Sequence, residues 1–173
     1  MGWLFLIILG VFLAISFGWM RTVLRVFAGT PVVRICGVTL FVASVFVALT
    51  AVIGGITLAM GVDKFPAEWL VGTAFRSYLI PGMILAVVVG GSAVAAVIAT
   101  LRSADTGTLT SMLASAILLG WLVGERLILP RAAFPPQFQW LENIYIAAGL
   151  LMLVPALTVW ITRLRRISRL SIR

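Results

Sequence analysis

Five long apolar stretches dominate this sequence and constrain its fold more than any other feature. A transmembrane helix needs about 20 mainly apolar residues, because the bilayer hydrocarbon is about 30 Å thick and each helical residue rises about 1.5 Å. Stretches of that kind cover residues 3–20, 36–60, 77–101, 106–129 and 143–162. We therefore expect an all-α protein, a polytopic transmembrane helical bundle of five spans that forms a single transmembrane domain over residues 1–173.

Composition excludes an ordinary water-soluble fold. Hydrophobic residues make up 62% of the chain and charged residues 10%, whereas soluble domains are about 45–50% apolar and about 25% charged. The chain has no histidine and one cysteine, Cys36. An intrachain disulfide, a bis-histidine haem site and a Ser-His-Asp triad are therefore excluded. We expect no catalytic site, no metal site and no cofactor.

The distribution of basic residues predicts the orientation of the chain. Nine basic residues fall on the side that holds the C-terminus, and three fall on the opposite side. The nine are Arg21, Arg25, Arg34, Arg102, Arg163, Arg165, Arg166, Arg169 and Arg173, and the three are Lys64, Arg76 and Arg131. Because Lys and Arg concentrate in cytoplasmic loops, we expect the N-terminus outside and the C-terminus in the cytoplasm. The predicted location is the inner (plasma) membrane of the cell, as a multi-pass protein.

The first span could instead be a cleaved signal peptide, which would leave four spans. A signal peptide has basic residues before its apolar run and a small-residue cleavage site after it. Here the arginines follow the run, and residues 15–20 offer no Ala-x-Ala pattern. A retained anchor is the favoured interpretation.

Small residues recur every four positions in the third and fourth spans. In lipid, helices associate through close packing of such residues. The rows are Gly82, Ala86 and Gly90, then Gly91, Ala95 and Ala99 in the third span, and Ala116, Gly120 and Gly124 in the fourth. They predict close helix contacts, either within the bundle or between two chains. We favour contacts within the bundle, because a short connection joins these two spans.

Glu125 is the residue that we favour for a chemical role. It lies about 9–12 Å from the middle of the fourth span, and an ionisable side chain at that depth is by default a functional hypothesis. We expect its partner to be Arg76, Gln139 or Tyr145, near the outer ends of other spans. Arg126 points about 100° away from Glu125 and is expected to reach the headgroups. A polar lock at the outer end of the bundle is favoured over proton or ligand chemistry.

The remaining charged residues are predicted to be solvated or to contact lipid. Asp63, Glu68, Asp105 and Glu142 are interpreted as loop charges, with Asp105 at the start of the fourth span. Five arginines follow the last span at positions 163, 165, 166, 169 and 173. Alternating with apolar residues, they predict a cytoplasmic tail on anionic lipid rather than a site for nucleic acid.

Most of the chain resembles small, uncharacterised bacterial four-span integral membrane proteins. The resemblance covers residues 36–161 and rests on five features: Tyr78-Leu-Ile-Pro-Gly82, Gly90-Gly91, Trp121 to Glu125, Gln139, and Tyr145. It implies a helical bundle and supports Glu125 as a site, but it implies no activity.

Two functions from different classes fit these features. The favoured one is a non-enzymatic integral membrane protein, a small subunit or accessory protein that assembles with other membrane proteins or with itself. The alternative is a small transporter or channel gated around Glu125 and Pro155, since a proline within a span kinks the helix. A membrane enzyme that uses Glu125 or Glu142 is disfavoured, because no nucleophile or metal site accompanies these carboxylates.

Overall fold

The protein is a helical bundle. A computed structural model describes residues 2–62, 70, 75–128 and 139–170, and the long elements of this part are all helices. They are α1 (Gly2–Val26), α2 (Pro31–Ala59), α3 (Leu79–Met83), a π-helical segment (Ile84–Gly90), α4 (Gly91–Arg102), α5 (Ala104–Ile128) and α6 (Gln139–Leu170). Because α3, the π segment and α4 are continuous, the described chain has five helices long and apolar enough to cross a membrane. The predicted helical fold and the predicted number of such helices are confirmed.

Several helices extend beyond the apolar stretches that predicted them. α1 continues through Arg21 and Arg25, and α6 continues through Arg163 and Arg165. Helical hydrogen bonds join backbone groups, so they continue where the side chains become polar. Hydropathy marks only where the apolar side chains stop, and it therefore places the helix ends too early.

A short turn over residues 27–30 fixes α1 against α2. Gly29 has a φ of 152°, which a residue with a Cβ rarely adopts. Thr30 then caps α2 with its side chain, and Pro31 takes the first helical position. The fully buried ring of Phe27 occupies the space beside Gly37, where a Cβ would lie 2.3 Å from the Phe27 Cγ.

α2 is the central helix. It packs against α1, α3, the π segment, α4 and α6. Two apolar clusters surround it, and we name them after the two ends of the bundle: the outer end, where α6 begins, and the inner end, where α2 begins. The outer cluster includes Val47, Val89, Leu118, Leu122 and Met152. The inner cluster includes Val23, Phe27, Leu40, Phe41 and Val159.

The closest backbone approach joins α2 to the third long helix. A Cβ added at Gly55 would lie 2.5 Å from the backbone nitrogen of Ala86, and one added at Gly82 would lie 2.6 Å from that of Ala59. Gly90 faces α2 in the same way. The row Gly82, Ala86 and Gly90 therefore packs inside the bundle, as favoured, and its neighbour is α2.

The row on α5 lies elsewhere. Ala116 and Gly120 are exposed, and Gly124 is half-buried. No heavy atom lies within 4 Å of a Cβ added at Gly120 or Gly124. This row therefore lies on the surface of the bundle, whereas we expected it to pack inside. The residues that α5 buries lie on a different face: Ala104, Gly107, Thr108, Ser111, Ala114, Ser115, Leu118 and Leu122.

The π segment interrupts the third long helix, which the sequence predicts as continuous. Each of its hydrogen bonds encloses one residue more than a bond of an α-helix. Ala86, Val89 and Gly90 are buried, whereas Val87 and Val88 are exposed. The apolar residues of the segment suit either helix type, so the sequence holds no signal for it.

Candidate functional site

The outer ends of α5 and α6 are joined by an ion pair. Arg126 donates from Nε to Oε1 of Glu142 at 2.5 Å and from Nη2 to Oε2 at 2.7 Å. The Glu142 side chain is 11% exposed and that of Arg126 is 61% exposed. Glu142 is therefore not the solvated loop charge that we expected. Since α6 begins at Gln139, Glu142 lies in its first turn and reaches Arg126.

A second ion pair joins the inner ends of the same two helices. It is formed by Asp105, in the first turn of α5, and Arg163 of α6. The N–H of Asp105 donates to Oγ of Ser103 at 3.3 Å, so Ser103 rather than Asp105 caps the helix. Asp105 is thereby free to pair with α6.

The two ion pairs are equally far apart on both helices. Arg126 follows Asp105 by 21 residues, and Arg163 follows Glu142 by 21 residues. At 1.5 Å per residue this separation is about 31 Å, which equals the thickness of bilayer hydrocarbon, about 30 Å. Glu125 is the one charged residue between the pairs on either helix.

Glu125 lies on the inward side of the outer end, half-buried between α5 and α6. It is close enough to Glu142 and to Tyr145 for electrostatic interaction. Of the other expected partners, Arg76 and Gln139 are exposed. Within the part of the chain that the structure describes, neither makes an ion pair or hydrogen bond with Glu125.

Tyr145 connects Glu125 to the centre of the bundle. Its ring centroid lies 6.3 Å from that of Phe46, with the rings tilted by 42°. Its hydroxyl lies near the side chain of Thr50 on α2. Phe46 in turn meets Phe12 of α1 edge-on at 6.3 Å. Aromatic contacts thus run from α6 over α2 to α1.

These contacts define what the outer site can do chemically. Arg126 neutralises Glu142, so Glu125 has no opposite charge beside it among the described residues. A carboxyl group in that position can hold a proton or accept a cationic group from outside the chain. The sequence predicts a polar lock that includes Glu125, whereas the ion pair described at this end joins Arg126 to Glu142. The clue in the sequence is that these two flank the same connection.

Buried hydroxyl groups lie further toward the inner end. Ser44, Thr100 and Ser111 are fully buried, and their side-chain oxygens have no hydrogen-bond partner among the described residues. On α5, Leu118 and Leu122 separate these hydroxyls from Glu125. The outer cluster therefore isolates the outer site from the buried hydroxyls.

The arginines of the predicted tail are partly described. Arg163 pairs with Asp105, and Arg165 is exposed. Arg166 and Arg169 lie on the helical backbone of α6, but their side chains, like the whole of Arg173, lie outside the described residues. Among the described residues, no group of three or more His, Cys, Asp or Glu side chains could hold a metal ion.

No protein-family model, curated protein or solved structure matches this chain. The resemblance to small bacterial four-span membrane proteins is therefore still a prediction.

Proposed function

We propose that this protein is a non-enzymatic subunit or accessory protein of the inner (plasma) membrane, which assembles with other membrane proteins or with itself through α4 and α5. Its N-terminus is outside and its C-terminus is cytoplasmic. The observation that carries the proposal is the row of small residues that α5 turns outward, Ala116 and Gly120.

The two ion pairs support the membrane position. Their separation of about 31 Å matches the thickness of bilayer hydrocarbon, which supports a position with Arg126 and Glu142 at one boundary and Asp105 and Arg163 at the other. The basic residues that continue from Arg163 then lie on the cytoplasmic side. There the tail, residues 163–173, contacts anionic lipid.

The outward face of α4 adds to the surface of α5. Thr100 lies against Gly107, where a Cβ would come within 2.6 Å of the Thr100 Cα. α4 and α5 are antiparallel. Gly91 lies nine residues before Thr100 on α4, and Ala116 lies nine residues after Gly107 on α5, so Gly91 and Ala116 are at the same height in the bundle. Gly91 is exposed too, and a Cβ there would meet nothing within 4 Å.

Small residues on both helices leave a shallow depression in the middle of this surface. Larger exposed side chains flank it on α5, namely Leu113 and Val123, which are 62% and 60% exposed. A second helix laid over Gly91 and Ala116 brings its backbone close to both helices, which is the arrangement that drives association in lipid. We call this surface the α4–α5 face.

Purification in a gentle detergent tests the proposal. The tagged wild-type chain is expected to elute as a particle heavier than one chain plus detergent, and mass spectrometry then identifies any partner. Gly120→Leu is expected to dissociate that particle, because its side chain fills the depression. Gly10→Leu is the matched control, since Gly10 is exposed on α1 and also meets nothing within 4 Å.

A wild-type monomer would refute the assembly proposal. A Gly120→Leu particle of unchanged mass would refute the assignment of the α4–α5 face.

A transporter or channel gated around Glu125 and Pro155 is the second candidate. It is favoured by Glu125, a carboxyl group within a span that has no opposite charge beside it among the described residues. The packing of the outer cluster disfavours this candidate, because Leu118, Val89 and Met152 fill the space that a transport path through the bundle would need. Flux into vesicles tests this candidate: Glu125→Gln is expected to abolish any flux, and unchanged flux would remove Glu125 from the mechanism.

A further inference from the structure

A groove runs along the side of the bundle between α1, α2 and α6. It has a volume of about 440 Å³ and includes Phe12, Ala43, Phe46, Ile144, Ala147 and Leu151 in its lining. Thr39, which also lines it, donates its hydroxyl to the carbonyl of Ile35 at 3.0 Å. The lining therefore offers an apolar surface, without a free hydroxyl donor.

The length and the lining of the groove suit a hydrocarbon chain. Along α6 the groove extends from Ile144 to Leu151, seven residues or about 10.5 Å. A hydrocarbon chain fits along this length, because its methylene groups pack against apolar side chains at about 4.0–4.5 Å.

The position of the groove relative to the ion pairs matches the chain of a lipid. On α6, Ile144 and Leu151 follow Glu142 by two and nine residues, which is about 3 Å and about 13 Å of helix. The groove thus begins next to the outer hydrocarbon boundary and ends near the middle of the membrane. Trp140 lies one turn before Ile144 on the same side of α6 and is 59% exposed. Indole rings favour the headgroup level.

We infer that this groove binds one acyl chain of a membrane lipid, with the headgroup end of the lipid beside Trp140. The floor of the site is α2, and its walls are Phe12 of α1 and the Ile144, Ala147 and Leu151 side of α6. The inference depends on the membrane position given under the proposed function, and it is independent of the α4–α5 face.

Photolabelling of the full chain tests the site. The protein is reconstituted into phosphatidylcholine vesicles that contain a trace of the same lipid with a diazirine on one acyl chain. After illumination, labelled peptides are mapped by mass spectrometry. A diazirine near the carboxyl end of the chain is expected to label near Ile144, and one near the methyl end is expected to label near Leu151 and Phe12.

Variants show whether the groove itself causes the labelling. Ala147→Trp fills the groove and is expected to cause a several-fold loss of labelling in α6. Ala14→Trp is the matched control, because Ala14 is exposed on α1 but does not line the groove; its labelling is expected to equal that of the wild type. Both variants are checked for folding through Cys36, which is buried and should resist maleimide. If Ala147→Trp misfolds, Ala147→Leu replaces it.

Four outcomes would each overturn one of these proposals. Equal labelling of all exposed helix surfaces, or unchanged labelling in a folded Ala147 variant, would overturn the groove site alone. Absence of labelling on every helix would overturn the membrane position, and with it the proposed function. A monomeric protein that is labelled in the groove would leave the lipid site intact and refute only assembly.

Discussion

Gly54 and Gly55 are neighbours in α2, but only Gly55 lies against another backbone. A Cβ at Gly55 would lie 2.5 Å from the Ala86 nitrogen and 2.6 Å from the Gly82 oxygen, whereas a Cβ at Gly54 would meet nothing within 4 Å. Gly55→Ala and Gly54→Ala therefore make the same chemical change at the same depth. They differ only in whether the new methyl group has room.

The size of the effect follows from these distances. Ordinary contact begins at 3.4 Å, so a contact at 2.5 Å forces the two helices apart by about 0.9 Å at this point. Overpacking of this kind costs about 1–3 kcal/mol. Both substitutions also gain about 0.5–1 kcal/mol, because alanine is the better residue inside a helix. Gly54→Ala is expected to be slightly stabilising, and Gly55→Ala should be less stable than Gly54→Ala by about 1–3 kcal/mol.

Unfolding in detergent measures this difference. The purified variants are titrated with SDS in a mild detergent, and tryptophan fluorescence and circular dichroism follow the loss of structure. The free energy of unfolding of each variant is then compared with that of the wild type. If Gly55→Ala were as stable as Gly54→Ala, α2 and the third long helix could not be as close as described, and the packing of the Gly82 row would be wrong.

Three further predictions use the same unfolding assay. Ser44→Ala and Ser111→Ala are each expected to raise the free energy of unfolding by about 1–3 kcal/mol, because each removes a buried hydroxyl without a partner; a decrease would mean that the hydroxyl is hydrogen-bonded, for example to a buried water. Phe27→Ala is expected to lower it by about 3–5 kcal/mol, since the fully buried ring fills the space beside Gly37; an unchanged value would contradict the packing of the α1–α2 turn. Glu142→Gln is expected to lower stability most at low salt, because Arg126 is largely exposed and salt screens the pair; a loss that is independent of salt would refute the ion pair as its cause.

The number and place of the long helices follow from hydropathy, because a long apolar stretch can satisfy its backbone in lipid only as a helix. The rotation of each helix about its own axis, which decides which residues face inward, does not follow from hydropathy. Residues 82, 86 and 90 and residues 116, 120 and 124 have the same spacing and similar size, yet only the first row is inside. Lipid is as apolar as the core, so hydropathy cannot distinguish the two faces. The deciding feature is that α2 offers Gly55 and Ala59 opposite Gly82, which only the packed structure shows.

The candidate site was predictable to a similar degree. The depth of Glu125 and the nearness of Tyr145 to the outer end follow from counting residues along each span. The partner of Arg126 does not, because Glu142 lies one residue outside the apolar stretch 143–162 and looks like a loop charge. Its role depends on α6 beginning at Gln139, beyond the apolar residues by which the span was located.

The π segment has a consequence for how relatives of this chain would be recognised. Each of its turns holds one residue more than an α-helical turn, so a related protein with a regular α-helix here would be one residue shorter between Gly82 and Gly91. A correct alignment would then need a single-residue gap in the middle of this long apolar helix. Without the gap, either the Gly82 end or the Gly91 end would be shifted by one position, which turns it by about 100° around the helix.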